Sequence, residues 1–144
     1  MRIHEELQMT KRFLAFVDGG VLGKNPSPRG VYWSAIVVAN DGDGEVVHTC
    51  KRKTLCGDMY RTNNDAEWLA VRYVLDWVVA HHPETALTIY SDSRMIVCQF
   101  NGHWRARIAR HARLMHECRR LSAQLTSCTL SWKPRRVLYH VLGH

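Results

Sequence analysis

Apolar residues in this chain fall into short runs and helical stripes, separated by glycine, proline and asparagine. Phe13-Leu14-Ala15-Phe16-Val17 is apolar on both faces of an extended chain, the pattern of a central strand over residues 11–17. Asp18-Gly19-Gly20 is expected to end it, and residues 21–30, with Gly23, Asn25, Pro26, Pro28 and Gly30, read as a loop. Residues 31–38 make a second strand, and Asn40-Asp41-Gly42-Asp43-Gly44 is a hairpin signal. Residues 45–51 return as a third strand, so the first three are expected to form an antiparallel meander. Thr62, Asn63 and Asn64 are helix-capping types, after which Ala70, Tyr73, Val74, Trp77 and Val78 recur at helical spacing until His82-Pro83. A fourth strand covers residues 86–90, and a short helix follows from residue 93 to about 100, broken by Asn101-Gly102. A longer helix from about 108 to 125 carries the stripe Leu114, Cys118, Leu121 and Leu125, with Arg113, Arg119 and Arg120 off it. Residues 129–133 form a fifth strand and residues 137–144 open a last helix. The order predicts one α/β domain over residues 1–144 with strands in mixed directions, residues 1–10 being an N-terminal extension.

A chain of 144 residues, 46% of them apolar, suits one packed core rather than disorder. Its charge is uneven. Residues 1–92 hold ten basic and twelve acidic residues, net −2; residues 93–144 hold ten basic residues and one acid, Glu117, net +9. A half so basic points to a polyanionic partner, because neutralising phosphates dominates nucleic-acid affinity. Five cysteines (Cys50, Cys56, Cys98, Cys118, Cys128) with no Cys-x-x-Cys spacing argue against a disulfide framework or zinc knuckle. They read as mostly buried thiols of a reducing cytoplasm. No apolar run approaches the ~18 residues of a membrane span, and Met1-Arg2-Ile3-His4-Glu5-Glu6 lacks a signal-peptide core.

Three acids stand at the edges of these elements: Asp18 after strand one, Glu67 in the first turns of the helix, Asp92 after strand four. Singly each is weak, since an Asp after a strand is usually a turn residue and a Glu near a helix start suits the dipole. If strands one and four are neighbours, both aspartates meet at one edge and Glu67 reaches them from the helix. Clustered acids repel, so such a trio implies divalent metal. Mg²⁺ and Mn²⁺ prefer carboxylate oxygens, and a pair of them about 3.5–4 Å apart can hydrolyse a phosphodiester.

The motifs Asp18-Gly19, Gly23-Lys24-Asn25-Pro26, Thr62-Asn63-Asn64-Asp65-Ala66-Glu67 and Asp92-Ser93 together resemble the type I ribonuclease H family. Gln99-Phe100-Asn101-Gly102 and Trp132-Lys133-Pro134-Arg135 are similar to its archaeal-like branch. The resemblance covers about residues 11–136. It implies the ribonuclease H-like fold: a five-stranded mixed sheet, three strands antiparallel and then two parallel, flanked by helices. It also implies that Asp18, Glu67 and Asp92 bind two Mg²⁺ or Mn²⁺ ions and that the substrate is the RNA strand of an RNA–DNA hybrid, cut to 3′-hydroxyl and 5′-phosphate ends. Gly19, Asn25, Asn63 and Glu67 would then meet RNA 2′-hydroxyls, and Thr62 and Asn64 the phosphates of the DNA strand. Trp104, Arg105 and Arg107 stand where other branches carry a basic, aromatic substrate handle; their bland alternative is a solvated helix start.

The family's fourth acid, an Asp in the last helix, has no counterpart, because no Asp or Glu follows Glu117. Matching the small-residue step sets His140, Gly143 and His144 against the family's Asn, Ala and Asp, with two extra residues after Arg135. Either His144 is the fourth ligand, which favours Mn²⁺ over Mg²⁺, or a terminal carboxylate supplies the anion, or three carboxylates suffice. A histidine there also suits a Holliday-junction-type resolvase, and the missing acid suits an inactive nucleic-acid-binding module. The intact segment 62–67 argues for hybrid cleavage, and the expected enzyme is a cytoplasmic monomer with no membrane or protein partner.

Overall fold

The computed structural model of the protein describes residues 11–40 and 44–143. In chain order the elements are β1 (Lys11–Val21), β2 (Gly30–Ala39), β3 (Val46–Cys56), α1 (Asn63–His81), β4 (Thr85–Ser91), α2 (Arg94–Phe100), α3 (Ala109–Ser122), β5 (Ser127–Trp132) and α4 (Arg135–Leu142). They build the ribonuclease H-like fold: one five-stranded sheet in the order β3-β2-β1-β4-β5. β1, β2 and β3 are antiparallel neighbours, whereas β4 runs parallel to β1, and β5 to β4. The apolar run of β1 lies at the centre of this sheet.

Phe13, Ala15 and Val17 point to the buried face of β1, where α1 packs with Leu69, Ala70, Val74 and Val78. On its other side α1 packs against α3, whose Leu114, Cys118 and Leu121 form the expected stripe. Phe16 faces the opposite side of the sheet and stacks on Tyr90, with ring centroids 5.2 Å apart. α2 lies against β5, fastened by Asn101 Nδ2 donating to the Leu130 carbonyl (3.1 Å), and is tied to α3 by Arg119, which donates to the carbonyls of Gln99 and Phe100. Among the described residues, no helix is long and apolar enough to cross a membrane.

Several boundaries depart from the sequence reading. Asp18-Gly19-Gly20 does not end β1; the strand runs on to Val21, with Asp18 opposite Ser34 and Gly19 opposite Trp33. Turn propensity yields there to ladder pairing with β2, and glycine is needed because the strand passes tightly beneath α1. A Cβ on Gly19 would stand 2.5 Å from the Ala66 carbonyl carbon. β3 extends through the charged run Lys51-Arg52-Lys53, which an edge strand accommodates because one side faces water. A bulge sets Arg52 at φ 49°, and its amide donates to Ser34 Oγ at 2.9 Å. α4 starts at Arg135 rather than 137, directly after Pro134, whose ring presets φ. Of the five cysteines, all free, only Cys118 is buried; Cys50, Cys98 and Cys128 are half-buried and Cys56 is exposed. Residues 1–10 and the tip of the β2–β3 hairpin at 41–43 lie outside the described residues.

Gly19→Ala should therefore push β1 from α1 and cost ~1–3 kcal/mol, the usual range for overpacking. Urea denaturation should register this as a lower midpoint.

Candidate metal centre and nucleic-acid cleft

Register brings the acids together. Phe16 pairs with Tyr90, the last pair of the parallel β1–β4 ladder, which brings Asp18, still in β1, and Asp92, just past the end of β4, to the same edge of the sheet. Glu67, on α1, hangs over Gly19. Carboxylate oxygens of Asp18, Glu67 and Asp92 all lie within 4.8 Å of one another, the one such group of potential metal ligands among the described residues.

Glu67 is 5% exposed, and its two oxygens are held separately: Oε1 accepts from the Gly19 amide at 3.1 Å and Oε2 from Ser91 Oγ at 3.2 Å. Burial, with the adjacent charges of Asp18 and Asp92, holds its carboxyl well above the ordinary carboxylate range. Asp92 Oδ2 accepts from Arg135 Nε at 3.1 Å, and its backbone carbonyl from Trp132 Nε1 at 3.1 Å. The trio offers only oxygen donors, and carboxylates crowded this closely repel one another. Both properties fit a hard divalent cation, Mg²⁺ or Mn²⁺, rather than a soft one.

These acids sit in an open cleft of about 700 Å³, whose lining also includes Gly19, Asn25, Thr62, Asn63 and Asn64. Asn25 Oδ1 accepts from the Asn63 amide at 3.3 Å, tying the Gly23–Pro26 loop to the start of α1. Thr62 is both helix cap and cleft wall: its Oγ1 accepts from the Asp65 amide at 3.1 Å. Trp104, Arg105 and Arg107 are not in this cleft. They line an adjoining hollow of about 540 Å³ that shares Ile108 and His111 with it, and Trp104 is half-exposed rather than tucked into the core. Gln99 supports that segment, accepting from Trp68 Nε1 (3.3 Å) and donating to the Arg105 carbonyl (3.5 Å).

His144 lies outside the described residues. His140 is exposed and does not line the cleft; from α4, Arg135 and Tyr139 do. Those two, with Tyr32, Ile108 and His111, are cleft residues that sequence reasoning missed. Arg135 stood in the Trp-x-Pro-Arg segment, whose last member could have been tested for charge opposite Asp92. Asp65 was missed as well. Burial opposes its ionisation, yet Arg110, the amides of Arg61 and Thr62, and His111 outweigh that and lower its pKa to about 2. A capping-box pattern was legible at Thr62 and Asp65, but the partners on α3 are 45 and 46 residues away.

A pH-dependent instability arises at Glu67. Its pKa is raised on folding, so the native state binds its proton more tightly than the unfolded chain does. Metal-free stability is therefore fullest below the ordinary carboxylate pKa and falls as pH rises through the raised value. Glu67→Gln should abolish that slope and raise the melting temperature in EDTA at neutral pH, by roughly 2–4 °C per kcal/mol relieved. Mg²⁺ should raise the melting temperature of the unmodified protein and not of the variant, as thermal denaturation would register.

A family model described as reverse transcriptase-like matches residues 27–138. A search of curated proteins returned no match. Among solved structures, the chain is similar to the N-terminal RNase H domain of a Mycobacterium tuberculosis protein, at 24% identity and TM-score 0.75 over 91% of this chain and 95% of that one. It is similar to RNase H1 of the halophilic archaeon Halobacterium salinarum, at 22% identity and TM-score 0.72 over 91% and 93%. It is also similar to LC11-RNase H1, isolated from compost and solved in complex with an RNA/DNA hybrid, at 17% identity and TM-score 0.68 over 89% of each chain. With the family match spanning most of its length and the acids meeting at the strand edge, the chain belongs to the reverse transcriptase-like family of ribonuclease H-like domains.

Proposed function

We propose that the protein is a divalent-metal-dependent endonuclease that hydrolyses the RNA strand of RNA–DNA hybrids, leaving 3′-hydroxyl and 5′-phosphate ends. The observation that carries this reading is the meeting of Asp18, Glu67 and Asp92 within 4.8 Å of one another in a cleft walled by the turn at residues 62–64. These three would hold two Mg²⁺ or Mn²⁺ ions, which when bound supply an activated water and a stabilised leaving oxygen. The chain's own part is to orient the acids: Gly19 and Ser91 fix Glu67, and Arg135 fixes Asp92.

Gly19, the side-chain amides of Asn25 and Asn63, and the Glu67 carboxylate border the cleft and would meet an RNA 2′-hydroxyl, the group that separates RNA from DNA. Thr62 and Asn64 sit at the N-terminal end of α1, where the dipole and amide hydrogens favour a phosphate of the DNA strand. Trp104, Arg105 and Arg107 extend the surface with a stacking ring and two guanidiniums. The likeness to a hybrid-bound ribonuclease H supports this substrate. His144 is the proposed fourth ligand. It stands against the family's last acid, and Arg135 and Tyr139 of α4, one turn apart, line the cleft.

One labelled sequence presented as RNA–DNA hybrid, double-stranded RNA, duplex DNA and a four-way junction tests the reading, in Mg²⁺ and in Mn²⁺. Hybrid-only cutting is expected, reduced by roughly 100-fold or more in Asp92→Asn. Junction cutting would instead favour a DNA resolvase. Hybrid binding in EDTA with no cutting in either metal would favour a binding module. His144→Ala should lower the Mn²⁺-dependent rate; an unchanged rate removes His144 from the site.

A further inference from the structure

One carboxylate outside the metal centre gathers four donors. Asp65 is fully buried. Its Oδ2 accepts from the amides of Arg61 (2.8 Å) and Thr62 (3.0 Å), immediately before α1. Its Oδ1 accepts from Arg110 Nε (2.6 Å) and lies 2.7 Å from His111 Nε2, both in the first turn of α3. An ionised carboxylate only accepts, so His111 carries its proton on Nε2. The two halves of this one side chain thus hold two separate segments.

Both segments border the cleft. On one side, Asp65 closes the capping box with Thr62 and so fixes the turn at residues 62–64. On the other, α3 begins at Ile108 without any side-chain cap, and its first turn contains Arg110 and no acid. A cation at a helix N-terminus opposes the dipole, so α3 lacks a local reason to start where it does; Asp65 supplies the missing anion from α1. The loop at residues 104–107 leads directly into that turn. Gln99 grips the loop at the Arg105 carbonyl, and Asp65 grips the helix start at Arg110. Ile108 and His111 form the wall common to the cleft and the adjoining hollow.

We propose that Asp65, Arg110 and His111 form a strut that sets the separation between the 62–64 turn and the 104–107 segment, making them positioning residues for hybrids long enough to touch both. The inference rests on the proposed hybrid-binding function. It goes beyond that reading by assigning a length-dependent grip to residues other than the three clustered acids. Arg110 and His111 join the first turn of α3 to the start of α1 through the Asp65 carboxylate.

The test is a length series of RNA–DNA hybrids, measured as KM and kcat in Mg²⁺ and as Kd by fluorescence anisotropy in EDTA. Asp65→Asn risks losing the fold, so the variants are His111→Leu, which fills the space without donating, and His111→Gln, which can still donate to Asp65. Unmodified protein should bind more tightly in a step once hybrids become long enough to reach residues 104–107. His111→Leu should flatten that step, raising KM and Kd for long hybrids by roughly tenfold more than for short ones, and His111→Gln should restore most of it. An equal penalty at every length, or a fall in kcat alone, would mean a merely structural role and overturn the strut. So would a length series without a step in the unmodified protein. Binding in EDTA reads the strut without catalysis, so failure to cleave any hybrid would count against the nuclease reading alone.

Discussion

The parallel pairing of β1 with β4 is the constraint on which the site depends. Phe16 stands opposite Tyr90, and this register carries Asp18, two residues on in β1, and Asp92, just past the end of β4, to one edge of the sheet. A slip of one residue in either strand would turn its acid to the other face. What prevents the slip is apolar: Phe13, Ala15 and Val17 on β1 and Leu87 and Ile89 on β4 are buried together under α1. The same face that makes the core therefore sets the spacing of the charges, and Gly19 completes the arrangement by letting α1 approach closely enough for its amide to reach Glu67.

That arrangement is unfavourable for the protein alone. Three carboxylates within 4.8 Å of one another repel, and Glu67 is buried besides. The fold offsets part of this with a few donors: Gly19 and Ser91 on Glu67, Arg135 on Asp92. Sites of this kind exchange stability for a ligand's binding energy, and the nature of that ligand is set by the donors, all of them hard oxygens. By contrast Asp65, likewise buried and only two residues away, is served by the Arg110 guanidinium, the His111 ring and two backbone amides. Two acids on one helix turn thus have opposite environments, and the difference separates a charge awaiting a cation from a charge already used in holding the fold.

Much of this was legible in the chain. The central strand was readable because β1 is apolar on both faces, and the two longer helices because their stripes recur at helical spacing. The acid trio and the 62–64 turn were readable because their order and spacing are specific. Boundaries failed where tertiary pairing overrode local preference. Asp18-Gly19-Gly20 has turn composition, yet ladder bonds with Ser34, Trp33 and Tyr32 keep it extended. Lys51-Arg52-Lys53 resembles a strand end, yet a bulge carries it along the sheet edge. The links from Asp65 to Arg110 and His111, and from Asp92 to Arg135, join residues more than 40 positions apart and carry no local signal. Arg135 and Tyr139 of α4 line the cleft without having been singled out, because the apolar pattern started that helix two residues late and left Arg135 outside it.

The central claim is that the Asp18, Glu67 and Asp92 carboxylates are gathered for divalent cations. Anomalous diffraction at the manganese edge, from crystals grown with Mn²⁺ and a hybrid that cannot be cleaved, would test it most directly. The account predicts manganese peaks bounded by these three side chains and absent in crystals of Asp92→Asn. Crystals with the hybrid seated in the cleft, no peak among the three acids and Arg135 still paired to Asp92 would contradict it.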